Sequence, residues 1–229
     1  MLKKRGKCLV DDDSSVHKKT EVKQTMAIIT ISRQFGAGGR TLGEKLAERL
    51  GYNFVDELMV KEVARRMNVS SKQVEGFEKE GASNLMKLLD KVISKDYINR
   101  LISDKYGYVY EQKYVDSIRS IVQGLYNEGD VVIIGRGSQY ILQNEPNAYH
   151  ILLVGELEER IAFLTEKYNI KSQDEARKTV NRIDKNREKF LSFFSDSDSH
   201  DNPLYYDLTI NTKKVSLNKA ADLIINMIF

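Results

Sequence analysis

The chain contains a single cysteine, Cys8, so no disulfide can form within it. No apolar run approaches the ~20 residues that a membrane-spanning helix needs. Residues 1–25 mix basic and acidic side chains and lack the apolar core of a secretory signal peptide. From these absences we expect a protein of a reducing compartment, the cytoplasm, with no membrane partner.

Charge of one sign is not in large excess either. The chain has 36 Lys and Arg residues against 33 Asp and Glu residues, a formal net charge of +3. A nucleic-acid-binding protein concentrates its basic side chains on one face or along one helix. Here, beyond residue 25, basic side chains alternate with acidic ones. We therefore expect no nucleic-acid partner and rank nucleic-acid binding last among the functions considered.

Composition divides the chain near residue 26. Residues 1–25 carry a basic cluster, an acidic triplet and almost no apolar side chains, which predicts a flexible N-terminal extension. Residues 26–229 are long enough for one nucleotide-binding α/β domain. Met26 stands directly before the first apolar run and is an alternative start of translation.

Five short apolar segments predict the strands of one parallel β-sheet. Segments with helical spacing separate them, which is typical of an α/β fold whose sheet is covered on both faces. Ligands of such sheets bind beyond the carboxyl ends of the strands. We therefore expect the loop after the first strand to lie along one edge with Asp56, Arg136 and Gly155. The predicted strands are residues 28–31, 52–55, 131–135, 150–155 and 208–210.

The segment from Ile28 to Gly51 reads IITISRQFGAGGRTLGEKLAERLG. A β-branched run leads into a glycine-rich turn, and the turn opens a predicted helix. This is the context of a phosphate-binding loop, in which backbone N–H groups and a helix N-terminus converge on one anion. The standard loop reads GxxxxGK[ST], but no lysine lies between Ile28 and Glu44. We therefore predict a phosphate-binding loop over residues 33–41 whose cation is arginine.

Two registers of this loop are open from the sequence. In the first, Arg40 takes the lysine position and Thr41 provides the hydroxyl that binds magnesium. In the second, Gly38 is the last glycine of the pattern, Gly39 takes the lysine position and Arg40 the Ser/Thr position. In both, the cation near the phosphates must come from Arg40 or Arg33, and a guanidinium offers phosphate a planar, bidentate fork.

Two further groups of basic residues draw attention. Arg136 directly follows the apolar strand at 131–135 and lies between two glycines, so we predict that it contacts an anion or a base. Residues 176–187, ARKTVNRIDKNR, precede a serine- and aspartate-rich stretch that we expect to be a mobile loop. Arginines at the base of a closing lid would stabilise phosphoryl transfer. The alternative is a charged helix with ion pairs three and four residues apart.

Five segments occur in the order seen in the cytidylate kinase-like family, which the chain resembles over about residues 26–229. That family is related to bacterial cytidylate kinase and, more distantly, to other nucleoside monophosphate kinases. The resemblance implies a P-loop NTPase fold of about five parallel strands flanked by helices. It also implies a helical insertion for the nucleoside monophosphate at about 69–128 and a lid at about 184–204. The segments are ITISRQFGAGGRTLGEKLAERLG, FVDELMVKEVA, VVIIGRGSQYIL, NRIDKNREKF and YYDLTINT.

Roles for individual residues follow from the resemblance. It implies that the acceptor binds Asp56 and Arg136, and that Thr41 contacts the magnesium ion. The lid residues are Arg182, Asp184 and Arg187, and the catalytic residues are Arg40, Arg182 and Arg187. The residues implied to bind the ATP phosphates are Arg33, Gln34, Phe35, Gly36, Ala37, Gly38, Gly39, Arg40, Thr41 and Arg160.

The function expected from the resemblance is ATP-dependent phosphoryl transfer to a nucleoside monophosphate, CMP or dCMP, with Mg²⁺ and ATP as the implied cofactors. In cytidylate kinases the position of Glu62 holds arginine and that of Gly137 holds aspartate. Two alternatives therefore stand beside this function: a nucleotide-binding regulatory module that has lost catalysis, and a small-molecule kinase with a non-nucleotide acceptor. The three histidines form no Ser-His-Asp grouping that would support a rival chemistry.

Overall fold

The structure is a computed structural model that describes residues 26–56, 60, 112–168, 170 and 172–229. Three predictions lie wholly or almost wholly outside these residues: the N-terminal extension, the part of the insertion that precedes residue 112, and a helix that apolar spacing predicts from Glu57 to Asn68. The remaining predicted elements can be compared with the structure directly.

One five-stranded parallel sheet forms the centre of the described domain, as predicted. Its strands lie in the order β2-β3-β1-β4-β5, and all four neighbouring pairs are parallel. Each predicted strand is confirmed, with ends shifted by one or two residues. The strands are β1 (Ile28–Arg33), β2 (Asn53–Val55), β3 (Val131–Ile134), β4 (Ala148–Val154) and β5 (Leu208–Asn211).

Helices cover both faces of the sheet because its central strands are apolar on both sides. Ile28 packs into a core cluster with α2, whereas its neighbour Ile29 packs into a second cluster with α1 and α6. Apolar residues with helical spacing predict a helix at Val115, Ile118, Ile121, Val122 and Leu125, and the structure confirms it as α2 (Gln112–Glu128), in which all five are buried. The helices are α1 (Gly39–Leu50), α2 (Gln112–Glu128), α3 (Ser138–Ile141), α4 (Leu157–Tyr168), α5 (Gln173–Leu191) and α6 (Leu217–Ile228).

The long helix α5 carries residues 182–187 to the edge of the sheet. The Ser172 side chain caps it by accepting a hydrogen bond from the backbone N–H of Glu175, and acidic residues in the first turn favour the positive end of the helix dipole. Ala176 and Val180 pack against Ile161 of α4. The arginine and aspartate side chains of α5 are therefore attached to a helix that packs against α4.

The stretch after α5, which the sequence predicts to be a mobile loop, is anchored at His200. This residue is buried, and its Nδ1 lies 2.8 Å from the Tyr140 hydroxyl. The Tyr206 hydroxyl donates a hydrogen bond of 2.7 Å to the His200 carbonyl. Burial lowers the pKa of His200, so the imidazole is neutral near pH 7 and adds no positive charge here.

Within the described part of the chain, no helix combines the length and the apolar character that crossing a bilayer requires.

The carboxyl group of Glu128, the last residue of α2, should make stability depend on pH. Burial raises its pKa from 4.5 to about 7. Between these values the folded protein holds a proton that the unfolded chain releases, so the free energy of unfolding falls as pH rises through this window. After allowance for solvent screening, we expect Glu128→Gln to be about 1 kcal/mol more stable than wild type at pH 8 and equal to it at pH 4.5.

Urea unfolding at the two pH values measures this difference. Glu48→Gln, at an exposed site on α1, is the control. The prediction fails if the two variants gain stability equally at pH 8, or if Glu128→Gln gains the same amount at pH 4.5.

Candidate functional site

The glycine-rich loop connects β1 to α1 at the carboxyl edge of the sheet. Gly36 and Gly38 have φ angles of 89° and 82°, in the left-handed region that favours glycine. A Cβ atom on Gly36 would lie 2.9 Å from the backbone oxygen of Arg160, so the loop also passes too close to α4 for a side chain. The first turn of α1 leaves backbone N–H groups without partners inside the helix. The glycine-rich turn before a helix that the sequence predicts is therefore present, and its role in binding an anion stays a prediction.

The start of α1 favours one of the two registers left open by the sequence. Gly38 is the N-cap residue and has the positive φ, whereas Gly39 is already helical and has none. Gly38 therefore corresponds to the last glycine of the standard loop, and Gly39 to its lysine. In this register Arg40 occupies the Ser/Thr position, and Thr41 follows it in the first turn of the helix.

Arg40 and Asp56, predicted to serve different substrates, contact each other. The Arg40 guanidinium forms an ion pair with the buried Asp56 carboxylate at the end of β2. A second ion pair of 2.8 Å joins Arg40 to Glu44, and the guanidinium lies 5.5 Å from the centre of the Phe54 ring. Arg40 is thus directed to the β2 side of the loop.

Asp184 ties α5 to the loop and to α4. Its carboxylate accepts hydrogen bonds from the backbone N–H of Phe35 at 2.7 Å and from Nη1 of Arg160 at 2.6 Å. Arg160 also donates to the Phe35 and Gly155 carbonyl oxygens, at 3.0 and 3.1 Å. Two residues implied to serve the lid and the phosphates therefore also act together to hold the loop in shape.

A second network links the loop to Arg187 through a residue that the sequence did not single out, Asp201. The Gln34 amide donates to one oxygen of Asp201 at 3.0 Å, and Arg187 lies 2.8 Å from the other. Arg187 also donates to the Ser32 hydroxyl at 3.0 Å, and the Gly155 N–H donates to Gln34 at 3.1 Å. Asp201 stands in a run of serines and aspartates, so nothing in the sequence distinguishes it from its neighbours.

A cleft of about 500 Å³, partly open to solvent, lies between the loop, the end of β3 and α5. Three of its lining residues are arginines that come from different elements: Arg33, Arg136 and Arg187. The remaining lining residues are Ser32, Phe35, Gly135, Ile183, Asp184, Asn186, Phe190 and Leu191. Three guanidinium groups around one cleft favour an anionic ligand.

The backbone around Arg136 takes an unusual conformation. Arg136 has a φ of 60°, between Gly135 at 68° and Gly137 at 69°. A left-handed conformation is costly for arginine and is concentrated at functional sites. The Arg136 side chain is buried, and its guanidinium lies 4.7 Å from the centre of the Phe190 ring.

Arg182 and Thr41 are among the predicted site residues that lie outside the cleft lining. Arg182 lies half-buried on α5, and Thr41 lies half-buried in the first turn of α1; neither is among the described residues that line the cleft. The same part of the chain contains no group of three His, Cys, Asp or Glu side chains placed to hold a metal ion. The roles of Arg182 in catalysis and of Thr41 at magnesium stay predictions.

The family model of the cytidylate kinase-like family matches residues 28–214, which include all five strands and the loop. The chain belongs to the cytidylate kinase-like family. The relationship accounts for the P-loop kinase fold seen here, a parallel sheet with a glycine loop between β1 and α1. No curated protein matches this cytidylate kinase-like chain.

Among solved structures, the chain is similar to an uncharacterized protein from Eubacterium ventriosum. The two are 22% identical, with 88% of this chain and 98% of that chain covered and a TM-score of 0.63. A shikimate kinase from Acinetobacter baumannii in complex with shikimate is 15% identical, with coverages of 89% and 93% and a TM-score of 0.48. A shikimate kinase from Bacteroides thetaiotaomicron is 12% identical, with coverages of 88% and 97% and a TM-score of 0.48. The first of these supports the fold of the cytidylate kinase-like domain.

Proposed function

We propose that this chain transfers the γ-phosphoryl group of ATP to a nucleoside monophosphate, with CMP and dCMP as the first candidates. The observation that carries the proposal is the cleft beside the glycine loop, which three arginines, Arg33, Arg136 and Arg187, line. Phosphoryl transfer needs little covalent chemistry from the protein. It depends on positioning and on charge stabilisation of the equatorial oxygens of the transferred group.

In the proposed reaction, the loop N–H groups and Arg33 bind the ATP phosphates. Arg136, at the end of β3, binds the acceptor, whose phosphate oxygen attacks the γ-phosphorus. The bond from the γ-phosphorus to the bridging oxygen breaks, and ADP leaves. Arg187, which lines the same cleft, stabilises the charge on the transferred phosphoryl group. Magnesium bound to the ATP phosphates would neutralise part of their charge. Because Arg40 stands at the Ser/Thr position of the loop, the next residue, Thr41, would be the candidate protein hydroxyl.

The test is a coupled assay of ADP release from Mg-ATP, with CMP, dCMP, UMP, AMP and GMP as acceptors. We expect release that depends on CMP or dCMP. We also expect Arg136→Ala to raise the KM for the acceptor at least about tenfold, because one charge-assisted contact is lost. Arg49→Ala is the matched control, since this exposed arginine pairs with Asp222 at the far end of α1. Equal KM values in the two variants would count against Arg136 as an acceptor contact.

The absence of lysine from the loop favours a second candidate, a nucleotide-binding regulatory module without catalysis. Saturable ATP binding with no acceptor-dependent release across the panel would support it. A shikimate-like acceptor and a coenzyme precursor belong in the same panel. Release that depends on one of these would instead identify a small-molecule kinase with a non-nucleotide acceptor.

A further inference from the structure

We infer that Arg33 supplies the phosphate-binding cation of this loop, and that the glycine and the cation of the standard pattern have exchanged positions. The inference deepens the proposed function and rests on it, because it assigns the ATP-binding cation of the same site. It concerns one pair of residues, Arg33 at the end of β1 and Gly39 at the start of α1.

The exchange can be seen in the sequence when the loop is aligned in the register that the structure favours. With Gly38 as the last glycine, the pattern GxxxxGK places its first glycine at position 33 and its lysine at position 39. The chain has arginine at position 33 and glycine at position 39. The departures at the first-glycine and lysine positions are therefore explained by one reciprocal change.

The contact between the two residues gives this exchange a physical basis. A Cβ atom on Gly39 would lie 2.9 Å from Cγ and 3.1 Å from Cδ of Arg33. The aliphatic part of Arg33 thus fills the space through which a side chain at position 39 would leave the backbone. Glycine at position 39 is what admits the arginine, and a lysine there would displace it.

The alternative cation, Arg40, is held elsewhere. Its guanidinium contacts the carboxylates of Asp56 and Glu44, which offset its charge on the β2 side of the loop. Among the described residues, Arg33 lines the cleft together with Arg136 and Arg187, and Arg40 does not. The structure thus brings the cation to the phosphates from the end of β1.

A reciprocal exchange of the two residues tests the inference. We measure the Kd of Mg-ATP by calorimetry, and acceptor-dependent ADP release, for Arg33→Gly, Gly39→Lys and the double variant. Loss of one charge-assisted contact predicts about 30-fold weaker ATP binding in Arg33→Gly. Gly39→Lys is expected to bind more weakly than wild type because its side chain displaces Arg33. The double variant, with the standard arrangement, is expected to return to within about threefold of wild type.

Two further variants separate loss of the cation from loss of the fold. Arg33→Met keeps the aliphatic part that packs on Gly39 and is expected to lose as much affinity as Arg33→Gly, with an unchanged Tm. Arg49→Ala, the distant arginine on α1, is expected to bind ATP as wild type does. Wild-type affinity in Arg33→Met, or a double variant no better than the single ones, would overturn the inference.

The two readouts distinguish failure of the inference from failure of the proposed function. Wild-type protein that binds ATP but releases no ADP with any nucleoside monophosphate rejects the proposed function, while the Kd values of the variants still decide the role of Arg33. Wild-type protein that does not bind Mg-ATP overturns both.

Discussion

Replacing Asp184 with alanine is expected to lower the free energy of unfolding by about 3 kcal/mol and to weaken ATP binding. The Asp184 side chain is only 25% exposed and that of its partner Arg160 only 10% exposed. Removal of the carboxylate leaves the buried guanidinium without its countercharge. It also removes the acceptor of the Phe35 N–H group, which fixes the shape of the loop.

A second ion pair between the same two helices provides a matched control. Arg177 on α5 contacts both carboxylate oxygens of Glu158 on α4 at 2.7 Å, but these side chains are 40% and 67% exposed. Because exposed pairs contribute little, Glu158→Ala is expected to cost less than about 0.5 kcal/mol. Two pairs that are equally short and join the same helices therefore differ mainly in burial.

Double-mutant cycles on the two pairs measure the contrast. We expect a coupling energy of about 2 kcal/mol for Asp184 with Arg160 and close to zero for Glu158 with Arg177, from urea unfolding. ATP affinity should fall in Asp184→Ala and stay unchanged in Glu158→Ala. Equal coupling energies for the two pairs would show that the first one does not hold the loop in place.

The second large effect is expected for Gly36→Ala in the glycine loop. We expect a loss of about 3 kcal/mol in the free energy of unfolding and a loss of ATP binding of at least about 100-fold. The φ of 89° is unfavourable for alanine, and the added Cβ would lie 2.9 Å from the Arg160 carbonyl oxygen. Relief of this contact must move the loop away from α4, which changes the direction of its N–H groups.

The control Gly51→Ala separates the effect of backbone strain from the effect of the close contact between residue 36 and Arg160. Gly51 at the end of α1 has a φ of 70°, but no described residue has an atom within 4 Å of an added Cβ there. We expect Gly51→Ala to cost about 1 kcal/mol, from backbone strain alone, with ATP affinity unchanged. Thermal unfolding and calorimetry of both variants provide the comparison. Similar losses at the two positions would mean that the contact with Arg160 has no effect.

Much of the fold could be predicted because its signals are local. The run Val131–Ile134 is apolar on both faces, which is possible only for a strand covered on both sides, and the structure confirms it. Errors at strand ends arise where a backbone hydrogen bond decides the boundary. Asn211, for example, pairs with Val154 of β4 and thereby extends β5 one residue beyond its predicted end.

The candidate site was predictable only in part. Arg136 stood out because it follows a buried strand and lies between two glycines, and the structure places it in the cleft. Asp201 carried no such signal, yet its carboxylate, 167 residues beyond Gln34, joins Gln34 to Arg187. A carboxylate in a polar run becomes a site residue only through the partners that folding brings to it.

By itself, the sequence determined the layered α/β fold, the glycine loop and the set of arginines available to it, because periodicity, glycine and strand order are local properties. Only the tertiary structure favours Arg33 over Arg40 as the arginine that lines the cleft. The position of each arginine side chain depends on the carboxylates that pair with it and on the space that neighbouring residues leave for it. Asp56 and Glu44 hold one of them, and the missing side chain of Gly39 makes room for the other.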